Sequence, residues 1–266
     1  MIYGAIIGDI VGSRFEFNNY KGTDFDPLFA RECEFTDDSL MTIAVAVAIY
    51  GTNFKDELSA NTIKSMQKIG RPYRNVSWGA NFGRWLYSDD PKPYDSFGNG
   101  AAMRVSACGW FGQTLDEVID MTDRVTTISH NHEEGIRGAR AVATAVYIAQ
   151  TTHSKRRVLE EVEKYYPILH DPDFTLDNIR PTYRFDESCQ GTVPQAIQAF
   201  MESDSFEDAI RKAVSIGGDS DTVAAITGSI AEAYYGVPAW MKTFADCYFD
   251  DKSLTRLIHT VEASLK

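Results

Sequence analysis

Two acidic clusters in this chain carry the residue types that bind hard metal ions. The first cluster is Thr36-Asp37-Asp38, and the second is Asp219-Ser220-Asp221-Thr222. Each stands directly before an apolar stretch of helical character, so four carboxylates are predicted at two helix entrances. Ionised carboxylates that are buried together repel one another, and their burial is costly without compensation. Mg²⁺ or Mn²⁺ removes that cost, because both ions take oxygen ligands.

Helix capping is the simpler interpretation of either cluster taken alone. Side-chain oxygens of Asp, Ser and Thr accept hydrogen bonds from the free N–H groups at a helix start. A cap requires one such residue, however, and each cluster supplies two carboxylates. Asp219 and Asp221 are two positions apart and would point to different sides of a helix. They can converge only where the chain is still turning, and Gly217-Gly218 provides that conformational freedom. We therefore favour a metal site formed by both clusters.

Helical periodicity dominates the sequence and predicts an all-α fold. Helices are predicted over residues 38–50, 56–69, 76–87, 100–111, 115–129, 133–150, 154–165, 192–202, 206–215, 222–235 and 253–264. Thr114 and Ser205 each begin a capping-box pattern at a helix start. Gly4, Gly8 and Gly12 recur every four residues, so they line one face of an initial helix. That stripe allows another helix to pack closely.

Three stretches lack helical periodicity, namely residues 14–35, 88–100 and 167–191. The first is expected to lie over the first acidic cluster, and the third to cross the surface. No low-complexity linker or internal repeat divides the chain. Because the two acidic clusters lie near opposite ends of the sequence, both halves must pack together for the clusters to meet. We therefore predict a single domain over residues 1–266.

Composition excludes several classes of partner. The net charge of −12 argues against binding to nucleic acid or to an anionic membrane. The four cysteines lack the spacing of a zinc site or a disulfide framework, which is typical of a reducing compartment. Asp9 interrupts the initial apolar stretch, so no secretory signal is predicted. No stretch approaches the roughly 20 apolar residues that a membrane span requires. The expected location is the cytoplasm, with no membrane partner.

Six short motifs follow one another over most of the chain. They are Gly4-Ala5-Ile6-Ile7-Gly8-Asp9-Ile10-Val11-Gly12-Ser13-Arg14-Phe15-Glu16, Phe35-Thr36-Asp37-Asp38-Ser39, Ser96-Phe97-Gly98-Asn99-Gly100-Ala101-Ala102-Met103-Arg104, Ser129-His130-Asn131-His132, Gly191-Thr192-Val193-Pro194-Gln195-Ala196 and Gly217-Gly218-Asp219-Ser220-Asp221-Thr222. With these motifs the chain resembles the ADP-ribosylglycohydrolase family, which includes hydrolases of ADP-ribosylarginine and ADP-ribosylserine. Glu133-Glu134-Gly135 departs from the family pattern, in which a proline and small residues often stand at this point.

The resemblance implies an orthogonal all-α bundle with two Mg²⁺ or Mn²⁺ ions at the bottom of an ADP-ribose cleft. The residues that match metal ligands are Thr36, Asp37, Asp38, Asp219, Asp221 and Thr222. Glu16 matches an acid/base glutamate on a mobile loop, and we count Asp37 and Asp221 with it as catalytic. Cleavage at the anomeric carbon develops oxocarbenium character in the ribose ring. Two metal ions can orient the ribose and a water molecule and lower the pKa of that water.

A further set of residues matches the part of the family that contacts ADP-ribose. These residues are Ser96, Gly98, Asn99, Gly100, Met103 and His132. Asp95 directly precedes them and is a second candidate for proton transfer. The sequence Gly98-Asn99-Gly100 can form a backbone nest for phosphate next to a helix N-terminus. Taken alone, the same three residues are equally consistent with a turn that binds nothing.

These observations predict a metal-dependent hydrolase that releases ADP-ribose from a modified protein residue or a small O- or N-linked conjugate. The acceptor stays open between arginine, serine, a nucleic-acid end and a small ester. One alternative is a non-catalytic, metal-dependent ADP-ribose-binding module. Another is an all-α Mg²⁺-dependent nucleotide pyrophosphatase, although such enzymes place carboxylates along helix faces. The released product distinguishes them, because a pyrophosphatase yields AMP. A monomer is favoured.

Overall fold

The computed structural model describes residues 1–53, 55–76 and 78–264. Those ranges contain fourteen α-helices and no β-strand, so the all-α prediction is confirmed. The first seven helices are α1 (Tyr3–Ser13), α2 (Asp37–Tyr50), α3 (Leu58–Gly70), α4 (Ala80–Tyr87), α5 (Ser106–Phe111), α6 (Leu115–Thr126) and α7 (Glu133–Thr152). The other seven are α8 (Lys155–Val162), α9 (Leu176–Ile179), α10 (Cys189–Glu202), α11 (Phe206–Ser215), α12 (Ser220–Tyr235), α13 (Ala239–Asp246) and α14 (Lys252–Ala263). None of the described helices is long and apolar enough to cross a membrane.

Helices α1 and α12 pack so closely that their backbones are in contact. A Cβ atom added to Gly8 would overlap the carbonyl oxygen of Ala224. One added to Gly12 would lie 2.6 Å from the Cα atom of Asp221. The same stripe continues at Gly4, so the spacing of the glycines predicted the contact face correctly. Because Asp221 belongs to the second acidic cluster, this close approach brings that cluster beside α1.

Helices α2 and α12 run through the centre of the molecule. Every residue of α12 from Ser220 to Ala233 is buried, and Leu40, Met41 and Ile43 of α2 are inaccessible to solvent. Complete burial of a side chain of this size contributes about 1.5–3 kcal/mol to folding. Both helices are therefore held rigidly by their apolar residues. Their N-termini, which carry the acidic clusters, are positioned by the same packing.

Two predicted helices differ from the structure at their N-terminal ends. The helix predicted over 100–111 is split into a 3₁₀ turn at Asn99–Ala101 and α5. The split arises because the backbone N–H of Asn99 bonds to the carbonyl oxygen of Glu187 at 2.8 Å and holds a turn there. The helix predicted over 192–202 begins earlier, at Cys189, because Ser188 caps it.

Other differences follow from weak sequence signals. Helix α13 was not predicted, and it buries only Met241 and Ala245, so its apolar pattern is sparse. The stretch 167–191, expected to lack regular structure, contains the short helix α9 and a 3₁₀ turn. The helix predicted over 76–87 begins at Ala80, and position 77 lies outside the described residues.

The segment 14–35 between α1 and α2 is anchored at its centre. Phe15 packs against Phe25, with ring centroids 4.9 Å apart. Arg211 of α11 donates a hydrogen bond to the carbonyl oxygen of Phe25 at 2.7 Å. These contacts fix the segment that carries Glu16 relative to α11.

Candidate metal centre and ligand cavity

A buried aspartate of α1 organises the first acidic cluster. Asp9 is inaccessible to solvent and accepts four hydrogen bonds from two residues at the start of α2. Thr36 donates its backbone N–H at 2.9 Å and its hydroxyl at 2.7 Å. Ser39 donates its backbone N–H at 3.0 Å and also its hydroxyl. These bonds compensate the burial of the carboxylate and fix the backbone that carries Asp37 and Asp38.

The first cluster combines a helix cap with two further carboxylates. Thr36 is the N-cap of α2, and its hydroxyl oxygen accepts from the backbone N–H of Asp38 at 3.2 Å. Asp38 is buried, whereas Asp37 is half-buried and lines a cavity. Thr36 itself is not among the residues that line that cavity. Thr36 alone provides the cap, so the two carboxylates are not needed for capping.

The second cluster lies at the entrance of α12, after a glycine turn. Gly217 and Gly218 have φ angles of +69° and +74°, in the region that favours glycine. Asp219 precedes the helix with φ −73° and ψ 72°, and Asp221 lies in the first helical turn. The two carboxylates converge, as the glycine turn predicts. Oxygen atoms of Asp219, Asp221 and Glu16 all lie within 4.8 Å of one another.

Thr222 joins the two clusters directly. Its hydroxyl donates to Oδ2 of Asp38 at 3.2 Å. The sequence-distant clusters therefore meet at one place, together with Glu16 from the segment after α1. We call Glu16, Asp37, Asp38, Asp219 and Asp221 the acidic group.

Burial and mutual repulsion raise the pKa values in the acidic group. Burial raises the pKa of Asp219 to about 6. Burial, together with the charge of Asp221, raises the pKa of Glu16 to about 8. The same two causes hold the pKa values of Asp37 and Asp38 well above the ordinary range. For Asp221, burial and the charge of Asp219 have the same effect. The ionised forms of these carboxyl groups are therefore costly unless a positive charge compensates them.

The acidic group fits a hard divalent cation. Oδ1 of Asp38 and Oδ1 of Asp221 are buried and have no hydrogen-bond partner among the described residues. A buried carboxylate oxygen without a partner is costly unless a cation binds it. The side chains that meet here offer only oxygen atoms, which suits Mg²⁺ or Mn²⁺ rather than a soft metal.

The acidic group lines a cavity of about 500 Å³. This volume lies within the range of small-molecule sites. Six of the predicted substrate-contacting residues also line it. They are Asp95, Ser96, Gly98, Asn99, Gly100 and Met103. The structure thus brings five of the six predicted metal ligands, all but Thr36, to one cavity with these six residues, which we call the ligand loop.

Asn99 connects the ligand loop to the acidic group. Its Nδ2 donates to Oδ2 of Asp219 at 2.6 Å and to Oγ1 of Thr192 at 3.0 Å. The side chain is buried, so both bonds are shielded from water. Asp219 consequently has one oxygen oriented by the loop.

Asp95 stands apart from the acidic group. It has a φ of +55°, and its backbone N–H donates to Oδ1 of Asn131 at 2.7 Å. Its side chain is exposed at the cavity wall. Glu16, the other candidate for proton transfer, lies among the carboxylates instead.

His132 is not among the residues that line the cavity. It is the N-cap of α7, and its Nδ1 accepts from the backbone N–H of Glu134 at 3.1 Å. The ring therefore faces the start of its own helix and not the cavity, where the predicted contact with the ligand would be. His130 lines the cavity instead, and the ring is buried. Of the motif Ser129-His130-Asn131-His132, His130 therefore lies at the cavity, and the ligand contact of His132 stays a prediction.

Some residues of the site were missed by sequence reasoning. Asp9 appeared in the first motif and as an interruption of an apolar stretch but was given no role, although a charge within an apolar helix is itself a signal of a buried role. Phe185, Asp186 and Glu187 also line the cavity. They come from a stretch without periodicity, and nothing in its sequence indicated this position.

The fold and the cavity define an all-α protein with a cluster of carboxylates that could hold a metal ion. A model of the ADP-ribosylglycohydrolase family matches residues 1–264. The chain therefore belongs to the ADP-ribosylglycohydrolase family, and the class of enzyme predicted from the sequence is confirmed.

Named relatives cover nearly the whole chain. ADP-ribosylhydrolase ARH3 of Xenopus tropicalis is 23% identical over 97% of this chain and 93% of its own length. ADP-ribosylarginine hydrolase Tri1 of Pseudomonas putida (strain GB-1) is 24% identical over 92% of this chain and 73% of its own length. A solved chain from an ADP-ribosylglycohydrolase-related protein complex has a TM-score of 0.70 and 19% identity, and the match covers 99% of this chain and 95% of that one. The structural likeness supports the fold.

Proposed function

We propose that this protein hydrolyses the bond between the anomeric carbon of an ADP-ribosyl group and its acceptor, with release of ADP-ribose. The observation that supports this most strongly is the meeting of two acidic helix entrances and a loop of family-matching residues in one cavity. Buried carboxylate oxygens without partners indicate a bound cation, and the loop beside them offers backbone donors for a ligand. Family membership and the names of the relatives agree with this reaction.

We propose two Mg²⁺ or Mn²⁺ ions as the cofactor. Their ligands would be the acidic clusters, that is Thr36, Asp37, Asp38, Asp219, Asp221 and Thr222. When bound, the ions would neutralise the acidic group and help to orient the ribose and the attacking water. The number and identity of the ions are part of the proposal, supported by the oxygen-only donor set.

Glu16 is the proposed proton donor. In the metal-free protein, burial and the charge of Asp221 raise its pKa to about 8, which favours the protonated form that can donate to the departing acceptor atom. Its position within 4.8 Å of Asp219 and Asp221 places it beside the proposed metal ligands. Asp95, exposed at the cavity wall, is the second candidate for this role.

The ligand loop is proposed to hold the ribose and diphosphate. Ser96, Gly98, Gly100 and Met103 line the cavity next to the acidic group. The backbone N–H groups of Gly98 and Asn99 already donate to Ser96 and Glu187, so phosphate oxygens would be bound by the remaining N–H groups of this turn. His130 would add a side-chain donor in place of His132.

The remaining expectations belong to the same proposal. All the proposed ligands come from one chain, so a monomer with a single domain over 1–266 would suffice. The four cysteines form no disulfide, which agrees with the cytoplasm. The proposal does not choose the acceptor among arginine, serine, a nucleic-acid end and a small ester.

A panel of linkages tests the proposal. The protein would be incubated with ADP-ribose attached to arginine, to serine and through a small O-linked ester, with Mg²⁺, Mn²⁺ or EDTA. We expect release of free ADP-ribose from at least one substrate, suppression by EDTA and recovery on adding metal. Asp221→Asn should abolish the reaction, whereas Asp177→Asn should not, because Asp177 is exposed and pairs only with Arg180.

The products decide between the alternatives. Formation of AMP would favour a nucleotide pyrophosphatase. Metal-dependent binding of ADP-ribose without release from any linkage would favour a non-catalytic binding module. Hydrolysis that resists EDTA would contradict the metal part of the proposal.

A further inference from the structure

A charged side chain that borders the ligand cavity is completely buried. The guanidinium of Arg104 donates from Nη2 to Oγ of Ser129 at 2.7 Å and more weakly to the carbonyl oxygen of Val125 at 3.5 Å. Its Nε has no partner among the described residues. Burial lowers the pKa of Arg104 only to about 10, so the charge persists at neutral pH. The Ser129 hydroxyl is therefore the closest acceptor for a costly buried charge.

Arg104 determines the direction of the hydrogen bond between Ser129 and His130. A guanidinium only donates, so the hydroxyl oxygen must accept from Arg104. The hydroxyl hydrogen has no other acceptor within hydrogen-bond distance among the described residues, so it is directed to Nδ1 of His130, which lies 2.9 Å from Oγ. Nδ1 becomes an acceptor, and the hydrogen of the neutral ring is located on Nε2. Burial, and then the charge of Arg104, lowers the pKa of His130 well below its ordinary value, so the ring stays neutral.

The Nε2 atom of His130 faces the ligand loop. A Cβ atom added to Gly100 would lie 3.4 Å from this nitrogen, and one added to Gly98 would lie 3.7 Å from it. Tyr94 and Phe82 flank the ring, with centroids 5.5 Å and 6.3 Å away. The ring is thus held between aromatic side chains with Nε2 at the glycine turn. The absence of side chains on both glycines leaves this nitrogen open to the cavity.

We propose that Arg104 is a positioning residue which, through Ser129, fixes His130 as a neutral Nε2–H donor to an oxygen of the bound ligand. The proposal rests on the proposed function for the identity of that ligand, an ADP-ribosyl group with phosphate and hydroxyl oxygens. The opposite tautomer would present a lone pair to those oxygens and repel them. A ring able to take up a second proton would change its charge with pH. Arg104 disfavours the opposite tautomer through Ser129, and its positive charge disfavours the doubly protonated ring.

The tautomer of His130 can be measured without any ligand. Ring nitrogen shifts of ¹⁵N-labelled histidine distinguish Nε2–H from Nδ1–H, and loss of one signal in His130→Gln assigns it among the five histidines. We expect a single Nε2–H form in the wild type. Ser129→Ala and Arg104→Met should each give shifts averaged between the two tautomers. Arg104→Lys should retain the wild-type form, because an ammonium group also only donates.

The matched control is Thr126→Val. Thr126 is buried one turn before Ser129, and its hydroxyl has no partner among the described residues. Its replacement removes a buried hydroxyl without touching the bonds between Arg104, Ser129 and His130. The control should keep the wild-type nitrogen shifts. If Arg104→Met does not fold, Ser129→Ala decides the question alone.

Binding of ADP-ribose, measured by calorimetry, tests the consequence for the ligand. Ser129→Ala should raise the dissociation constant about tenfold, the size expected for one weakened hydrogen bond. Thr126→Val should leave it unchanged. An Nδ1–H form in the wild type, unchanged nitrogen shifts in Arg104→Met or in Ser129→Ala, or an unchanged dissociation constant in Ser129→Ala would overturn the proposal. If the wild type releases no ADP-ribose from any linkage, the proposed function fails while the tautomer measurement still stands.

Discussion

Replacement of Asp219 by asparagine should stabilise the metal-free protein. Burial raises the pKa of Asp219 from 3.8 to about 6, so ionisation of this side chain opposes folding. Above that pKa the cost reaches about 3 kcal/mol. The introduced amide would not ionise, and its oxygen can still accept from Asn99. No helix cap is lost, because the Asp219 side chain makes no capping bond.

The effect must change with pH in one direction. A carboxyl group whose pKa is raised on folding contributes stability below its unfolded pKa and loses it as the pH rises through the folded pKa. Wild type and Asp219→Asn should therefore have similar stability near pH 4 and diverge between about pH 4 and 7. At about 2 °C for each kcal/mol in a protein of this size, the variant should unfold about 6 °C higher at pH 7 to 8.

Divalent metal should close most of this difference in stability. Thermal unfolding would be followed by circular dichroism in EDTA and in excess Mg²⁺. Binding of one ion at a hundred times its dissociation constant stabilises the wild type by about 2.7 kcal/mol. The variant lacks one proposed ligand and should gain less. Asp177→Asn, at an exposed position, serves as the control and should stay within about 0.5 kcal/mol of the wild type. The reasoning is refuted if Asp219→Asn unfolds below the wild type in EDTA at pH 8, or if the difference is independent of pH.

Three further substitutions test other parts of the structure. In a denaturant titration, Gly8→Ala should destabilise the protein by about 3 kcal/mol or prevent folding, because its Cβ would overlap the carbonyl of Ala224. The control is Gly83→Ala, whose Cβ would make ordinary contact at 3.5 Å, and it should be neutral or stabilising. Asp9→Asn would turn an amide N–H toward donors at the start of α2, so it should lower the stability of the protein by about 1–3 kcal/mol. It should also weaken Mg²⁺ binding in calorimetry, and an unchanged Mg²⁺ affinity would count against the role of Asp9 in positioning the first cluster. Glu16→Gln should keep the affinity for ADP-ribose while lowering turnover about 100-fold or more, and unchanged turnover would transfer proton donation to Asp95.

Several local features could be read from the sequence because they depend on neighbouring residues. The glycine stripe of α1 follows from a spacing of four, and the turn before Asp219 follows from two adjacent glycines. Thr114 and Ser205 cap α6 and α11 because a hydroxyl at a helix start finds a free N–H within the same turn.

Other features depend on contacts that no local pattern records. His132 was predicted to contact the ligand and caps α7, while His130 lines the cavity, because the turn before that helix directs only one ring inward. The 3₁₀ turn at Asn99 replaces part of a predicted helix because its backbone bonds to Glu187, a residue distant in the sequence.

The sequence by itself determined the all-α class, the two acidic clusters and their place at helix entrances, since helical periodicity and capping chemistry act over a few residues. Only the tertiary structure decided that the clusters meet. Thr222 reaches Asp38, and Asp9 seats the start of α2, because the close packing of α1 on α12 removes the space between them. The charge of each carboxylate was visible in the sequence, but its pKa was not, because burial and neighbouring charges exist only in the folded chain.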